Sequence, residues 1–168
     1  MKPLIILTVI DKLEKGIYIK AIKEWLRNTS YPLVVVENTG YTFPELEMER
    51  EILKDRFEII SYVETEIGGN NVAREMFSIR WAYSHTQFSS AHFIIKITGL
   101  YYFSGLKPFL EGLNLDNYDV LIQKDRYEMV GCHKRYFERV FDVVGVNVED
   151  VYQNERILRL PEFPIGIR

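Results

Sequence analysis

Four short, largely apolar runs punctuate the first hundred residues: 3–9, 32–40 (which ends in polar turn residues), 57–63 and 92–98. The first, "PLIILTV", shows no polar alternation at all. Runs of this length and continuity read as strands buried on both faces. Such strands need helices on each side, and the segments between them supply helical patterns. Residues 16–28, "GIYIKAIKEWLRN", place Ile17, Ala21, Ile22, Trp25 and Leu26 on one helical face. Residues 44–56, "PELEMEREILKDR", carry Pro44 where a first turn accepts it. The segment "IGGNNVAREMFSIRWAYSHTQ" opens with a glycine turn and two possible Asn caps, then reads as helix to about Gln87. This β-α-β-α-β-α-β order predicts an α/β fold: a mostly parallel sheet with helices on both faces and right-handed crossovers.

The second half has a different texture. A short helix is expected over 104–112, and "YDVLIQKD" and "YEMVGCH" read as neighbouring strands in a hairpin or a locally antiparallel edge. Residues 134–144 and 148–158 read as two short helices, and the tail "LPEFPIGIR", with two prolines, as extended chain. The 168 residues thus suit a single domain, with a nucleotide-binding-like half at 1–100 and an irregular α+β, acceptor-side half at 101–168.

Composition excludes several classes. With 47% hydrophobic and 27% charged residues the chain is globular, and at net charge −3 its scattered Lys and Arg form no nucleic-acid footprint. Cys132 is the sole cysteine, so no internal disulfide exists, which fits a reducing, cytoplasmic compartment. The first apolar run soon meets Asp11 and Lys12 with no cleavage site following, so no transmembrane segment is expected. The oligomeric state is not encoded in any of these features.

In open α/β sheets, ligands sit beyond the carboxyl ends of the parallel strands. This sequence places Thr8, Val9 and Asp11 after strand one, and Glu37, Asn38, Thr39 and Gly40 after strand two. Glu64, Glu66 and the turn Gly68–Asn71 follow strand three, and Lys96, Thr98 and Gly99 end strand four. Lys96 interrupts an apolar strand, so it needs an anionic partner: a ligand phosphate, or a carboxylate of the fold. A snorkelling side chain on an edge strand is the third option. The Gly-Gly-Asn-Asn turn lacks phosphate-loop spacing, yet its N–H groups at a helix start would favour an anion. The histidines His85, His92 and His133 show no ligand spacing, and "LDNYD" (116–119 and the leucine before it) reads as a turn that could hold a divalent ion. Cys132 beside His133 reads as a buried structural thiol.

Two of these segments carry a family likeness. "VVVENTG" resembles the Glu-Asn-Ser-Gly end of strand two in glycosyltransferases of GT-A type, whose sheet is Rossmann-like. "FIIKITGLYYF" resembles their Lys-x-Thr-Gly-Arg-Tyr segment, known from bacterial polysaccharide loci and large DNA viruses. "ETEIGGNNVAREM" stands where those proteins carry a Lys-Gly-x-Gly-Glu-like turn, and "YEMVGCHKRYFERVF" and the tail resemble their acceptor-side strand, helices and Leu-Pro segment. Leu100 replaces the family's Arg, Glu75 is displaced from the turn pattern, and the sequence has no Asp-x-Asp to hold a divalent metal, manganese or magnesium.

The resemblance implies transfer of a sugar from a nucleotide-sugar donor to a carbohydrate acceptor hydroxyl. It assigns Lys96 to the diphosphate, helped by Arg74 or Arg80, and Thr8, Val9, Glu37, Asn38, Asn71, Thr98 and Gly99 to donor binding. Asp125 and Glu128 are the candidate catalytic bases. Two other readings stand beside it. One is an inactive GT-A-like domain that binds nucleotide, glycan or a partner protein. The other is a nucleotidyltransferase-like enzyme, which would need metal-binding carboxylates.

Overall fold

The structure, a computed structural model, describes residues 2–10, 14–65, 70–124, 126–142 and 156–163. In chain order its elements are β1 (Leu4–Val9), α1 (Lys15–Asn28), β2 (Leu33–Glu37), α2 (Glu47–Ile52), β3 (Phe57–Ser61) and α3 (Asn71–His85). β4 (Phe93–Thr98), α4 (Leu106–Glu111), β5 (Val120–Gln123), β6 (Met129–His133), α5 (Phe137–Val140) and β7 (Ile157–Leu160) follow. The seven strands form one sheet in the order β3-β2-β1-β4-β6-β5-β7. The first four are parallel neighbours, β6 runs antiparallel between β4 and β5, and β7 lies parallel to β5.

The α/β architecture is the one the four apolar runs imply, because β1 and β2 are buried along their whole length. Alternate residues divide between two cores, as the two-residue strand period requires. Ile5, Leu7, Val9, Val35, Ile95 and Ile97 pack with Tyr18, Ile22, Trp25 and Leu26 of α1. Leu4, Ile6, Val34, Val36 and Ile94 face Ile79 and Ala82 of α3 and Phe137 of α5. Each fully buried aliphatic side chain contributes roughly 1.5–3 kcal/mol before entropy is counted. α1 is tied to the second half by Trp25, whose indole N–H donates to the Tyr101 carbonyl at 2.9 Å. It ends where Thr29 turns extended and returns its hydroxyl to the Trp25 carbonyl.

Several local expectations shift. The buried stripe of α1 holds Tyr18 in place of Ile17, which is 44% exposed. The helix expected over 44–56 divides into a 3-10 turn at Pro44–Leu46 and the short α2, after which the chain turns into β3. β3 stops at Ser61, and Val63 forms only an isolated bridge with Thr39. The two second-half strands are antiparallel neighbours, but β6 lies inside the sheet, with β5 and β7 outside it. The helix expected over 134–144 is a 3-10 turn at Lys134–Tyr136 followed by α5. Most of the helix expected over 148–158 falls outside the described residues. Its last two, Ile157 and Leu158, belong instead to β7, whose Leu158 and Leu160 turn inward while the backbone pairs with β5. An otherwise open strand edge gains a partner that way.

Candidate functional site

β4 alternates its side chains, so Ile95 and Ile97 enter the α1 core while Lys96 and Thr98 face α3. α3 begins at the carboxyl end of the sheet, capped by Asn70, whose side-chain oxygen accepts from the Ala73 N–H at 3.1 Å. The second possible cap, Asn71, is the first residue of the helix. The spacing Asn71, Arg74, Glu75 then puts three polar side chains on one helical face over the ends of β1 and β4.

Lys96 is 1% exposed, and its ammonium meets a complete set of acceptors. Nζ lies 2.8 Å from Oε1 of Glu75, donates to the Tyr127 carbonyl at 2.8 Å, and reaches Thr98 Oγ1 at 3.3 Å. Glu75 Oε1 also accepts from the Thr8 hydroxyl at 2.6 Å. The cation inside β4 is therefore balanced by a carboxylate of the fold, as burial of a charge demands. Glu75 is the residue that a strand-by-strand reading passes over, and its helical register with Asn71 is the signal that locates it.

Thr8, Asn71, Arg74, Glu75, Thr98 and Leu100 line a cavity of about 260 Å³ above this pair. Arg74 reaches across to Glu64, with Nε and Nη2 at 2.9 and 2.6 Å from Oε2. The same oxygen accepts from Asn38 Nδ2 at 3.0 Å. Asn38 Oδ1 and Glu64 Oε1 are buried acceptors without a donor among the described residues. Gly99 closes the floor: its N–H donates to the Thr8 carbonyl at 2.9 Å, and a Cβ there would sit 2.7 Å from that same oxygen. Only a glycine lets the chain leaving β4 pass so close to β1.

The other expected site residues that the structure describes do not line this cavity. Val9 is buried in the α1-side core. Glu37 is wholly buried and shapes the Asn-Thr-Gly turn: Oε2 accepts from the N–H groups of Thr39 and Tyr41 at 3.0 and 2.8 Å and from Ser61 Oγ at 3.2 Å. Its Oε1 meets Lys15 Nζ at 3.3 Å and the Thr39 hydroxyl. Those contacts occupy both oxygens with the fold. Arg80, the alternative helper, is on the far part of α3, paired with Glu138 at 2.8 Å. Glu128 abuts the site, since its carbonyl accepts from the Thr98 N–H at 2.8 Å, and its buried Oε2 has no hydrogen-bond donor among the described residues. Asp125 lies outside the described residues.

Asp11 and Glu66, the other acidic residues expected at this edge, lie outside the described residues. Glu37, Glu64 and Glu75 are each engaged by a cation, and among the described residues no group of three metal-ligating side chains gathers here.

This sheet order and the edge at which the cavity opens define a GT-A-like α/β fold, and solved structures agree. The chain is similar to a protein described as a nucleotide-diphospho-sugar transferase from Desulfovibrio desulfuricans G20, at 15% identity and a TM-score of 0.58, over 96% of this chain and 80% of that one. It is similar as well to the glycosyltransferase GlyE of Streptococcus pneumoniae TIGR4, at 11% identity and a TM-score of 0.60, covering 95% of this chain and 45% of GlyE. The chain thus spans less than half of GlyE's length. No protein-family model and no curated protein matches it. At these identities the likeness concerns the fold.

Proposed function

We propose that the chain is a glycosyltransferase, moving a sugar from a nucleotide-sugar donor to a glycan hydroxyl, with residues 1–100 serving the donor and 101–168 the acceptor. The observation that carries this reading is the cavity at the carboxyl ends of β1 and β4 within a GT-A-like fold. Arg74 lines the cavity and is the cation best placed for a donor diphosphate; the first turn of α3 adds backbone N–H groups. Lys96 holds Glu75 and Thr8 in place beneath it. The undonated acceptors Asn38 Oδ1 and Glu64 Oε1 suit ribose hydroxyls or a base N–H.

In this reading the acceptor oxygen attacks the anomeric carbon as the bond to the diphosphate breaks. Arg74 offsets the charge developing on the leaving group. Glu128, whose backbone carbonyl accepts from the Thr98 N–H and whose Oε2 has no donor among the described residues, takes the hydroxyl proton.

Thermal-shift measurements with UDP-, GDP-, CMP- and dTDP-sugars, with and without manganese, test donor binding: one nucleotide class should raise the melting temperature. No shift with any of them at millimolar concentration refutes the reading. Glu128→Gln should keep that shift while lowering sugar transfer or donor hydrolysis by about 10²–10⁴-fold.

A second reading, a non-catalytic nucleotide- or glycan-binding domain, is favoured by the neutralised Lys96 and by Leu100 at the cavity wall. It predicts the same shift with no turnover of any donor.

A further inference from the structure

At the opposite end of β4 the fold assembles a cluster that sequence spacing hides. The β4–β6 register sets Phe93 opposite His133, and the Lys134 N–H donates to the His92 carbonyl at 2.8 Å. Two histidines 41 positions apart in sequence thereby stand side by side, ring centroids 6.2 Å apart. Asp116 comes from the 3-10 turn Leu115–Asn117, which Asn114 caps by accepting from the Asp116 N–H at 3.2 Å. Its Oδ1 lies 3.9 Å from His92 Nδ1 and 4.0 Å from His133 Nε2. One ligand atom from each of the three falls within 4.8 Å of the others.

From this we infer a zinc-binding site made by His92, Asp116 and His133. Two imidazoles and a carboxylate are a donor set that borderline-soft divalent ions prefer, and zinc takes it in tetrahedral geometry with the fourth position open to solvent. Around a zinc ion such ligand atoms stand about 3.3 Å apart. The cluster closes to that spacing by side-chain rotation alone, because the His92 and Asp116 side chains are 43% and 47% exposed. His133 is the fixed member at 15% exposure. Binding at its Nε2 puts the ring proton on Nδ1, so the 3.3 Å contact that Nδ1 accepts from the Arg135 N–H is exchanged for the metal bond. The six-residue length of β4 puts this site roughly 17 Å from the cavity. An ion there stands apart from the chemistry at the cavity and ties the entry to β4, the end of β6 and the 115–117 turn together.

The test uses the full chain without an affinity tag, stripped with EDTA, then titrated with zinc by calorimetry. One equivalent should bind and raise the melting temperature, and cobalt(II) should give the visible absorption of a tetrahedral site. His92→Ala and Asp116→Asn, both at exposed side chains, should each weaken zinc by at least about tenfold while leaving the metal-free melting temperature unchanged. Failure to bind one equivalent overturns the assignment. So does binding that both variants retain, which would mark adventitious surface uptake.

Discussion

The Lys96–Glu75 pair offers the sharpest test of the physics of this fold. At 2.8 Å, with an effective dielectric constant near 20, two unit charges attract by about 6 kcal/mol. Most of that offsets the desolvation of an ammonium that is 1% exposed. The consequence is asymmetric. Glu75→Gln keeps an acceptor for the Thr8 hydroxyl but leaves Lys96 facing only neutral acceptors, the amide oxygen, Thr98 Oγ1 and the Tyr127 carbonyl. It should cost about 3 kcal/mol, a fall in melting temperature of roughly 6–12 °C for a chain of this size. Lys96→Met leaves a carboxylate that is 17% exposed and still accepts from Thr8, so its cost should be smaller, about 1–2 kcal/mol. The double variant buries no unpaired charge and should return to within about 1 kcal/mol of the parent. The coupling energy, read from urea unfolding at neutral pH by linear extrapolation, should therefore be roughly 3–5 kcal/mol. Additivity within about 0.5 kcal/mol would refute the pairing. The same Lys96→Met protein should keep any nucleotide-induced thermal shift; loss of the shift in a folded variant would show that the lysine meets the donor's phosphate.

Three further outcomes follow from other residues. Asp119, 4% exposed, receives Arg156 through Nε, Nη2 and its backbone N–H, and also Arg135; these, Arg156 foremost, hold its carboxyl well below the usual carboxylate range. A depressed folded-state pKa stabilises fully above the unfolded value near 4 and is lost as pH falls through the folded one. The stability gap between the parent and Asp119→Asn should thus be constant from pH 7 to about 5 and shrink below about 4, as followed by urea unfolding. Gly99→Ala pushes a methyl to 2.7 Å from the Thr8 carbonyl and should destabilise by about 1–3 kcal/mol in thermal unfolding; an unchanged melting temperature would contradict the close approach. Burial pushes the Cys132 thiol well up, so a thiol reagent should label it only after urea unfolds the chain, and rapid native labelling would contradict its place in the core.

Much of the fold was legible because continuous apolar runs leave few options. β1, β2 and β4 are buried on both faces, and only helices on both sides can cover them. The edge of the sheet where polar residues collect was legible too, since Thr8, Asn71, Arg74 and Thr98 do line one cavity. Less visible were the elements whose stability comes from a neighbour. β7 takes its strand form by pairing with β5, and the helices expected over 44–56 and 134–144 shrink to the short α2 and α5, each preceded by a 3-10 turn. Glu37 illustrates the limit for site residues: an acidic residue at a strand end reads as a ligand contact, whereas its oxygens hold the turn that follows.

Sequence by itself determined the layered α/β architecture, the carboxyl edge as the place where polar residues collect, and the few ways a cation can be kept within the apolar run that holds Lys96. Hydrophobic period and the cost of burying a charge are local properties that any chain with these residues must satisfy. The tertiary structure decided which of those ways holds, the carboxylate of Glu75, and which distant side chains meet, as His92, Asp116 and His133 do. Strand order and register fix those meetings, and they arise from packing among elements far apart in the chain.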